Sequence, residues 1–157
     1  LWDRHFLDAA QLANFIPSIN SAIIDIGTGA GFPGMVLTIL GFKNVTLVES
    51  DQKKCAFLSE VARLTHVSPE TENCRVEDLA KRDFDVVVSR ACSSLNQLFH
   101  YSNPFVSHGT KCLFHKGKNY SKEIEEASDD WLFDFVIHQS ITDKQGVILE
   151  ITNIKRR

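Results

Sequence analysis

The stretch AIIDIGTGAGFPGMVLTIL, residues 22–40, constrains this chain more than any other. An apolar run containing Asp25 is followed by Gly27, Gly29, Gly31 and Gly34, and then by apolar residues at helical spacing. A strand feeding a glycine turn and a helix is the unit that cradles nucleotides. Its glycines adopt positive φ without penalty and let the backbone pass close beneath a bound molecule, while the N–H groups at the helix start can receive an anion. Gly29, Gly31 and Gly34 satisfy G-x-G-x-x-G, which by itself permits a nicotinamide or flavin dinucleotide.

The remainder alternates strand and helix. Residues 1–16 read as an amphipathic helix stopped by Pro17, and 22–26 as a short strand. Residues 33–40 read as a helix with Pro33 in its first turn, and 44–48 as a second strand. Residues 51–66 form the clearest helix, capped by Asp51, with Leu58, Val61, Ala62 and Thr65 on one face. A short third strand is expected at 74–76, a buried one at 84–89 through three consecutive valines, and another at 110–115. An acidic helix over 121–128 and two long strands separated by TDKQG complete the pattern. This order predicts an α/β fold: a Rossmann-like, mainly parallel seven-stranded sheet with helices on both faces and a C-terminal antiparallel hairpin, as one domain over 1–157. Ligands of such sheets bind at the carboxyl ends of the strands, which directs attention to 27–32, Glu49, Glu77–Asp78, Arg90 and 115–118.

The turn itself carries a resemblance. Asp25, Gly27, Gly29 and Gly31 give D-x-G-x-G-x-G, similar to motif I of S-adenosylmethionine-dependent methyltransferases. Asp25 either holds the methionine ammonium of that ligand or shapes the turn by a structural hydrogen bond. Glu49 ends the second strand about 20 residues beyond the glycines, where a ribose-binding acid belongs in either ligand class. Val76, Glu77 and Asp78 come after the third strand; in methyltransferases that loop meets the adenine, and the alternative is a solvated acidic loop.

The segment after the fourth strand narrows the acceptor. SRACSSL contains no N-P-P-Y-like signature of exocyclic-amine methylation. Cys92 follows alanine rather than proline, so it reads as a small buried thiol and not as a nucleophile. A lone-pair acceptor such as guanine N7 needs no proton removed before attack; the protein has mainly to align nucleophile, methyl and sulfur. No catalytic acid or base is therefore assigned.

LWDRHFLD, DIGTGAGFPGMVL, LVESDQKKCAFLSEVAR, RVED, VVVSRACSSL and HKGK occur in that order and together closely resemble the ribosomal RNA small subunit methyltransferase G (GidB/RsmG) family. The resemblance runs from residue 1 to about residue 118, with a family-like ending in the last two strands. It implies a class I methyltransferase that uses S-adenosyl-L-methionine to methylate guanine N7 in a 16S rRNA loop of the small ribosomal subunit, in the bacterial cytoplasm. Cofactor contacts would fall on Gly27, Gly29, Gly31, Phe32, Glu49, Val76, Glu77 and Arg90. Ala9 stands where the family usually has serine. The family's additional N-terminal helices are not in this sequence, and an opening without methionine reads as a portion of a longer chain.

Other residues have roles to weigh beside that reading. Arg90 either orients cofactor or rRNA phosphate or pairs with an acid such as Glu77. Arg4 and His5 are candidates for RNA contact at the crevice rim, as are Lys116 and Lys118, flexible cations on either side of Gly117. Trp2 reads as core. Lys155, Arg156 and Arg157 read as an RNA-facing tail or a frayed end. A net charge of −3 conceals such local basic groups, because Glu123, Glu125, Glu126, Asp129, Asp130 and Asp134 concentrate the acid. The four cysteines show neither CxxC nor metal spacing and read as reduced thiols, with no metal expected. No apolar run approaches the ~20 residues that cross a bilayer. The chain is expected to act as a soluble monomer. The rival readings are a methyltransferase of another RNA, a protein or a small molecule, a dinucleotide oxidoreductase, and a non-catalytic RNA-binding module of the same fold.

Overall fold

A computed structural model describes residues 2–90 and 93–157, except the side chain of Trp2. The readings of Trp2 as core and of Cys92 as a buried thiol therefore lie outside the described residues. The elements in chain order are α1 (Trp2–Ala10), a 3-10 turn (Gln11–Phe15), β1 (Ala22–Ile26), α2 (Gly34–Ile39), β2 (Asn44–Val48), α3 (Gln52–Thr65) and β3 (Glu70–Glu72). A 3-10 turn (Val76–Asp78), β4 (Val86–Ser89), α4 (Leu95–Ser102), a 3-10 turn (Asn103–Phe105), β5 (Lys111–Lys116), α5 (Tyr120–Ala127), β6 (Trp131–Gln139) and β7 (Val147–Arg156) complete the chain. The seven strands form one sheet in the order β3-β2-β1-β4-β5-β7-β6. The first five are parallel, while β7 runs antiparallel to both β5 and β6. The expected fold class is thus observed.

Alternation along the strands divides the core. Ile23, Val45, Leu47, Val86, Val88, Leu113 and Ile148 face one way, under Leu12, Met35, Leu37 and Leu58 from the α1–α2–α3 side. Ile24, Ile26, Val48, Val87, Cys112, Phe114, Leu149 and Ile151 face the other way, under Leu95, Leu98 and Phe99 of α4 and Ala127 of α5. Because both faces are covered, β4 is buried at every position, which explains its unbroken valines.

Four local readings are corrected. The third strand is Glu70–Glu72, not 74–76. It is an edge strand written in acids: Glu70 accepts from Thr46 Oγ1 at 2.9 Å and from Arg82 Nη2 at 3.0 Å, so polar pairing replaces the apolar signal. The first helix changes to a 3-10 turn after Ala10 instead of running unbroken to residue 16. The buried face of α3 uses Cys55 and Leu58, whereas Thr65 is exposed and bonds back to the Val61 carbonyl at 2.6 Å. Finally, α4 was not expected at all, although Leu95, Leu98, Phe99 and Ser102 recur at helical spacing behind Ser94, whose hydroxyl accepts from Gln97 N at 3.1 Å. The expected cap of α3 is present: Asp51 Oδ1 accepts from Lys53 N at 2.8 Å and Lys54 N at 3.3 Å.

Candidate active site

The strand order reverses at β1, which lies between β2 and β4, so the connections leaving β1 and β4 diverge and open a crevice at their carboxyl ends. The glycine turn rises directly from β1. Gly27, Gly29 and Gly31 have φ of +71°, +56° and +103°, a region that L side chains rarely adopt. Methyl groups at Gly27 and Gly29 would project into open space. At Gly34 a methyl would overlap Leu47 and Asp25, so this glycine serves close packing of α2 on the sheet.

Asp25 fastens the turn from below. It is fully buried, and its Oδ2 accepts from Thr28 Oγ1 at 2.6 Å and Gly34 N at 2.7 Å. Gly34 N, the first amide of α2, is therefore committed to protein rather than free for a ligand carboxylate, and Met35 N is bonded to the Gly31 carbonyl at 2.8 Å. Of the two roles weighed for Asp25, the geometry displays the structural one. Burial pushes its carboxyl up to about 7, against the lowering effect of its two donors, and Oδ1 is buried without a hydrogen-bond partner.

Glu49 closes the cradle from β2. Oε1 accepts from Gly29 N at 2.9 Å and Oε2 from Asp51 N at 2.9 Å. One carboxylate thus ties the glycine turn to the start of α3, and each of its oxygens retains a lone pair. Beside it lies a cavity of about 290 Å³ lined by Gly27, Glu49, Ser50, Val76, Glu77 and Tyr101, among others, with Ile26, Val48 and Leu98 as apolar wall. A Gly-backed carboxylate at one end and an apolar slot at the other match the donor set and shape of a nucleoside: ribose hydroxyls against Glu49, a base against the apolar wall. The residues present therefore fit the adenosine portion of the expected cofactor. Gly27, Glu49, Val76 and Glu77 converge on this cavity as expected; Gly29 reaches it through its bond to Glu49. Leu98 and Tyr101 were missed along with α4.

Arg90 stands elsewhere. It does not line that cavity and does not meet Glu77. Its Nε lies 3.3 Å from Asp8 Oδ2, its Nη2 lies 3.5 Å from His5 Nδ1, and its guanidinium carbon sits 5.9 Å from the centre of the Phe32 ring. The expected ion pair is thus with a residue of α1. Arg4, His5, Asp8, Arg90, Thr142 and Asp143 line a second cavity of about 260 Å³. Phe32 packs behind it, 5.8 Å from the His5 ring.

Lys116 requires a correction. It is part of β5, not of a flexible loop, and it has the parity of Cys112 and Phe114. Its ammonium is buried beneath α4 and α5, donating to the Ser93 carbonyl at 2.6 Å and to Glu123 Oε1 at 2.8 Å. Glu123 Oε1 also accepts from Leu95 N at 3.0 Å, so the pair latches the connection after β4 onto α5. Of the two lysines of the HKGK segment only Lys118 is exposed. His115, with the opposite parity, donates from Nε2 to the Asp8 carbonyl at 2.9 Å, because a carbonyl can only accept. Burial lowers its pKa, keeping the ring neutral near pH 7. The basic C-terminus is held as well: Arg156 lies in β7 over the Trp131 ring, and Arg157 Nε donates to the Ser128 carbonyl at 2.8 Å.

Comparison with known proteins bears on the family and the fold. The family model described as GidB, rRNA small subunit methyltransferase G, matches residues 1–152. Ribosomal RNA small subunit methyltransferase G of Rickettsia typhi is 43% identical over 155 residues, covering 99% of this chain and 80% of that protein. The Rickettsia prowazekii protein of the same name is 44% identical over the same shares. Among solved structures, the ribosomal protein L11 methylase of Lactobacillus delbrueckii subsp. bulgaricus superimposes with a TM-score of 0.76 at 16% identity, covering 94% of this chain and 76% of that one. The glycopeptide N-methyltransferase MtfA, complexed with S-adenosyl-L-homocysteine, gives a TM-score of 0.74 at 12% identity, covering 94% and 89%. At these identities the structural matches establish the methyltransferase fold alone.

Proposed function

The chain belongs to the rRNA small subunit methyltransferase G family, and from that premise we propose that it transfers a methyl group from S-adenosyl-L-methionine to guanine N7 of 16S rRNA in the small ribosomal subunit. The observation that carries this reading is the Gly29–Glu49 closure beside the 290 Å³ cavity. It supplies a fixed carboxylate for a ribose next to an apolar slot for a base.

In this assignment Gly27 and Gly29 let the backbone pass beneath the nucleoside, and Glu49 accepts from its ribose hydroxyls. The slot between Val48, Val76 and Leu98 takes the adenine, with Glu77 at its polar edge. When bound, S-adenosylmethionine supplies a methyl carbon already activated by a sulfonium. Guanine N7 presents a free lone pair, so the protein has no proton to remove; its task is to hold the base in line with that carbon. Arg90, with Arg4 and His5 around the second cavity, faces the acceptor side and supplies donors for RNA. Lys118 is an exposed cation for the RNA backbone; Lys116 is not. The working unit in this reading is a single domain, acting as a monomer in the cytoplasm. Among the described residues no helix is long and apolar enough to cross a membrane.

The test is methylation of small subunits from a strain lacking the gene, followed by mass spectrometry of the nucleosides. Label in 7-methylguanosine is expected. Label in a different nucleoside, or only in protein, contradicts the assignment. Calorimetry with S-adenosylhomocysteine and with NAD separates this reading from the oxidoreductase; heat with NAD alone would exclude the cofactor named here.

A further inference from the structure

Asp8 holds together more of the acceptor side than any residue so far given a role there. Its carboxylate is largely buried and shared between two groups of donors. Oδ1 accepts from Thr142 Oγ1 at 2.7 Å and from Gln11 Nε2 at 3.0 Å. Oδ2 faces Arg90 Nε at 3.3 Å. The carbonyl of the same residue accepts from Gln11 Nε2 at 3.1 Å and from His115 Nε2 at 2.9 Å. One residue of α1 therefore meets groups from the end of β4, from β5 and from the β6–β7 connection.

Gln11 completes the grip one turn later. Its Oε1 accepts from Ile141 N at 3.0 Å and its Nε2 lies 3.3 Å from Ser140 Oγ. The 140–146 turn is thus held from beneath at Ser140, Ile141 and Thr142, all by Asp8 and Gln11. That turn supplies Thr142 and Asp143 to the cavity that also contains Arg4, His5 and Arg90. Pairing through Nε with Asp8 and the Nη2 contact with His5 engage two of the five guanidinium donors of Arg90. The planar group is oriented while its terminal amines retain donors for a ligand.

We propose that Asp8 is a positioning residue for the acceptor: it fixes the Arg90 guanidinium and the 140–146 turn in one arrangement, making α1 part of the RNA-handling site. This rests on the methyltransferase reading above. An aspartate is required because the two oxygens serve donors on opposite sides. In Asp8→Asn the amide retains an acceptor for Thr142 and Gln11 but turns an N–H group toward Arg90. The volume is conserved, so the fold is retained while the guanidinium is released.

The experiment compares wild type, Asp8→Asn, Arg90→Ala and the double variant on small subunits that lack the modification. Asp8→Asn is expected to lower kcat/KM for RNA about tenfold, with S-adenosylhomocysteine affinity within about twofold of wild type. The double variant should be no worse than Arg90→Ala, because the two residues act as one unit. Wild-type kcat/KM in Asp8→Asn, or losses that multiply in the double variant, would overturn the proposal. A parallel loss of melting temperature and cofactor affinity would also overturn it, by reducing Asp8 to a fold residue. Should Asp8→Asn not fold, Thr142→Val removes one partner while conserving shape: reduced kcat/KM with unchanged cofactor affinity supports the brace, and wild-type kcat/KM refutes it. Hydrogen exchange at Ile141 N gives a readout independent of activity. Faster exchange is expected in Asp8→Ala, which removes the acceptor shared by Gln11 and Thr142, and an unchanged rate there counts against the brace whatever the enzyme methylates. A wild-type protein that methylates no RNA refutes the functional reading alone.

Discussion

The nucleoside side and the acceptor side of the crevice lie on either flank of the glycine turn, yet they are made of different material. The nucleoside side is backbone and apolar wall. Gly27, Val48, Glu49 and Val76 stand at or just beyond the carboxyl ends of adjacent parallel strands, and one carboxylate closes the turn. The acceptor side is a mesh of charged and polar side chains. Asp8 and His115, 107 positions apart in sequence, meet there, as do Asp8 and Thr142, 134 positions apart. The first side follows from strand order and can be rebuilt on any chain with the same topology. The second depends on where α1 docks. On the proposed function, the contrast makes ligand holding and acceptor choice separable, so that changes on one side should leave the other largely intact.

The strongest test of separability concerns the residue that lies under both sides. Asp25 anchors the turn and is shifted upward by burial, from an ordinary 3.8 to about 7. Between those values the folded chain holds a proton that the unfolded chain has released. Stability from this group is therefore greatest below about pH 4, declines as pH rises toward about 7, and then levels off; the decline is on the order of a few kcal/mol. Asp25→Asn should flatten that slope, measured as urea midpoints at pH 5 and pH 8. An identical slope in the variant would show that Asp25 is not the titrating group.

Gly34→Ala comes next. The added methyl would overlap Leu47 and Asp25, and overpacking of this kind costs about 1–3 kcal/mol. A lowered melting temperature with both activities failing together is expected. Unchanged stability would mean that α2 can lift off the sheet without consequence.

Two smaller effects divide the crevice. Glu49→Gln should weaken S-adenosylhomocysteine binding about 10–100-fold, because charge-assisted acceptors for the ribose are lost. Calorimetry reads the change, and an affinity within about twofold would remove Glu49 from the ribose role. Arg90→Ala should do the reverse: cofactor affinity within about twofold and kcat/KM for RNA down by about tenfold. If it instead weakens the cofactor as much as Glu49→Gln does, the two sides are one site and the comparison fails. The least effect is expected from Lys118→Ala, an exposed cation whose loss should weaken RNA binding slightly and reduce its salt dependence.

Some elements were legible from residues alone because their signal is local. Asp51 announces the start of α3, three valines announce a strand buried on both faces, and the glycines announce the turn. Others were hidden for definable reasons. β3 is an edge strand written in acids, where Glu70 accepts from Thr46 and pairs with Arg82, so its signal is polar rather than apolar. α4 does carry helical spacing at Leu95, Leu98, Phe99 and Ser102, but over little more than two turns. Lys116 turned on a single position: ending β5 at 115 leaves it in a flexible loop, whereas Lys116 inside the strand points toward Glu123.

By itself the sequence determined the alternation of strand and helix that makes the sheet mainly parallel, the glycine turn and the acid after β2, because each rests on local pattern and on the rule that ligands sit at strand ends. Tertiary structure alone decided that Asp25 faces inward to the turn, that Lys116 is a latch and that Arg90 belongs with Asp8. Those outcomes depend on which face of the sheet a side chain takes and which distant helix covers it. An ion pair between separate elements, such as that of Arg90 with Asp8, leaves no periodicity for the sequence to display.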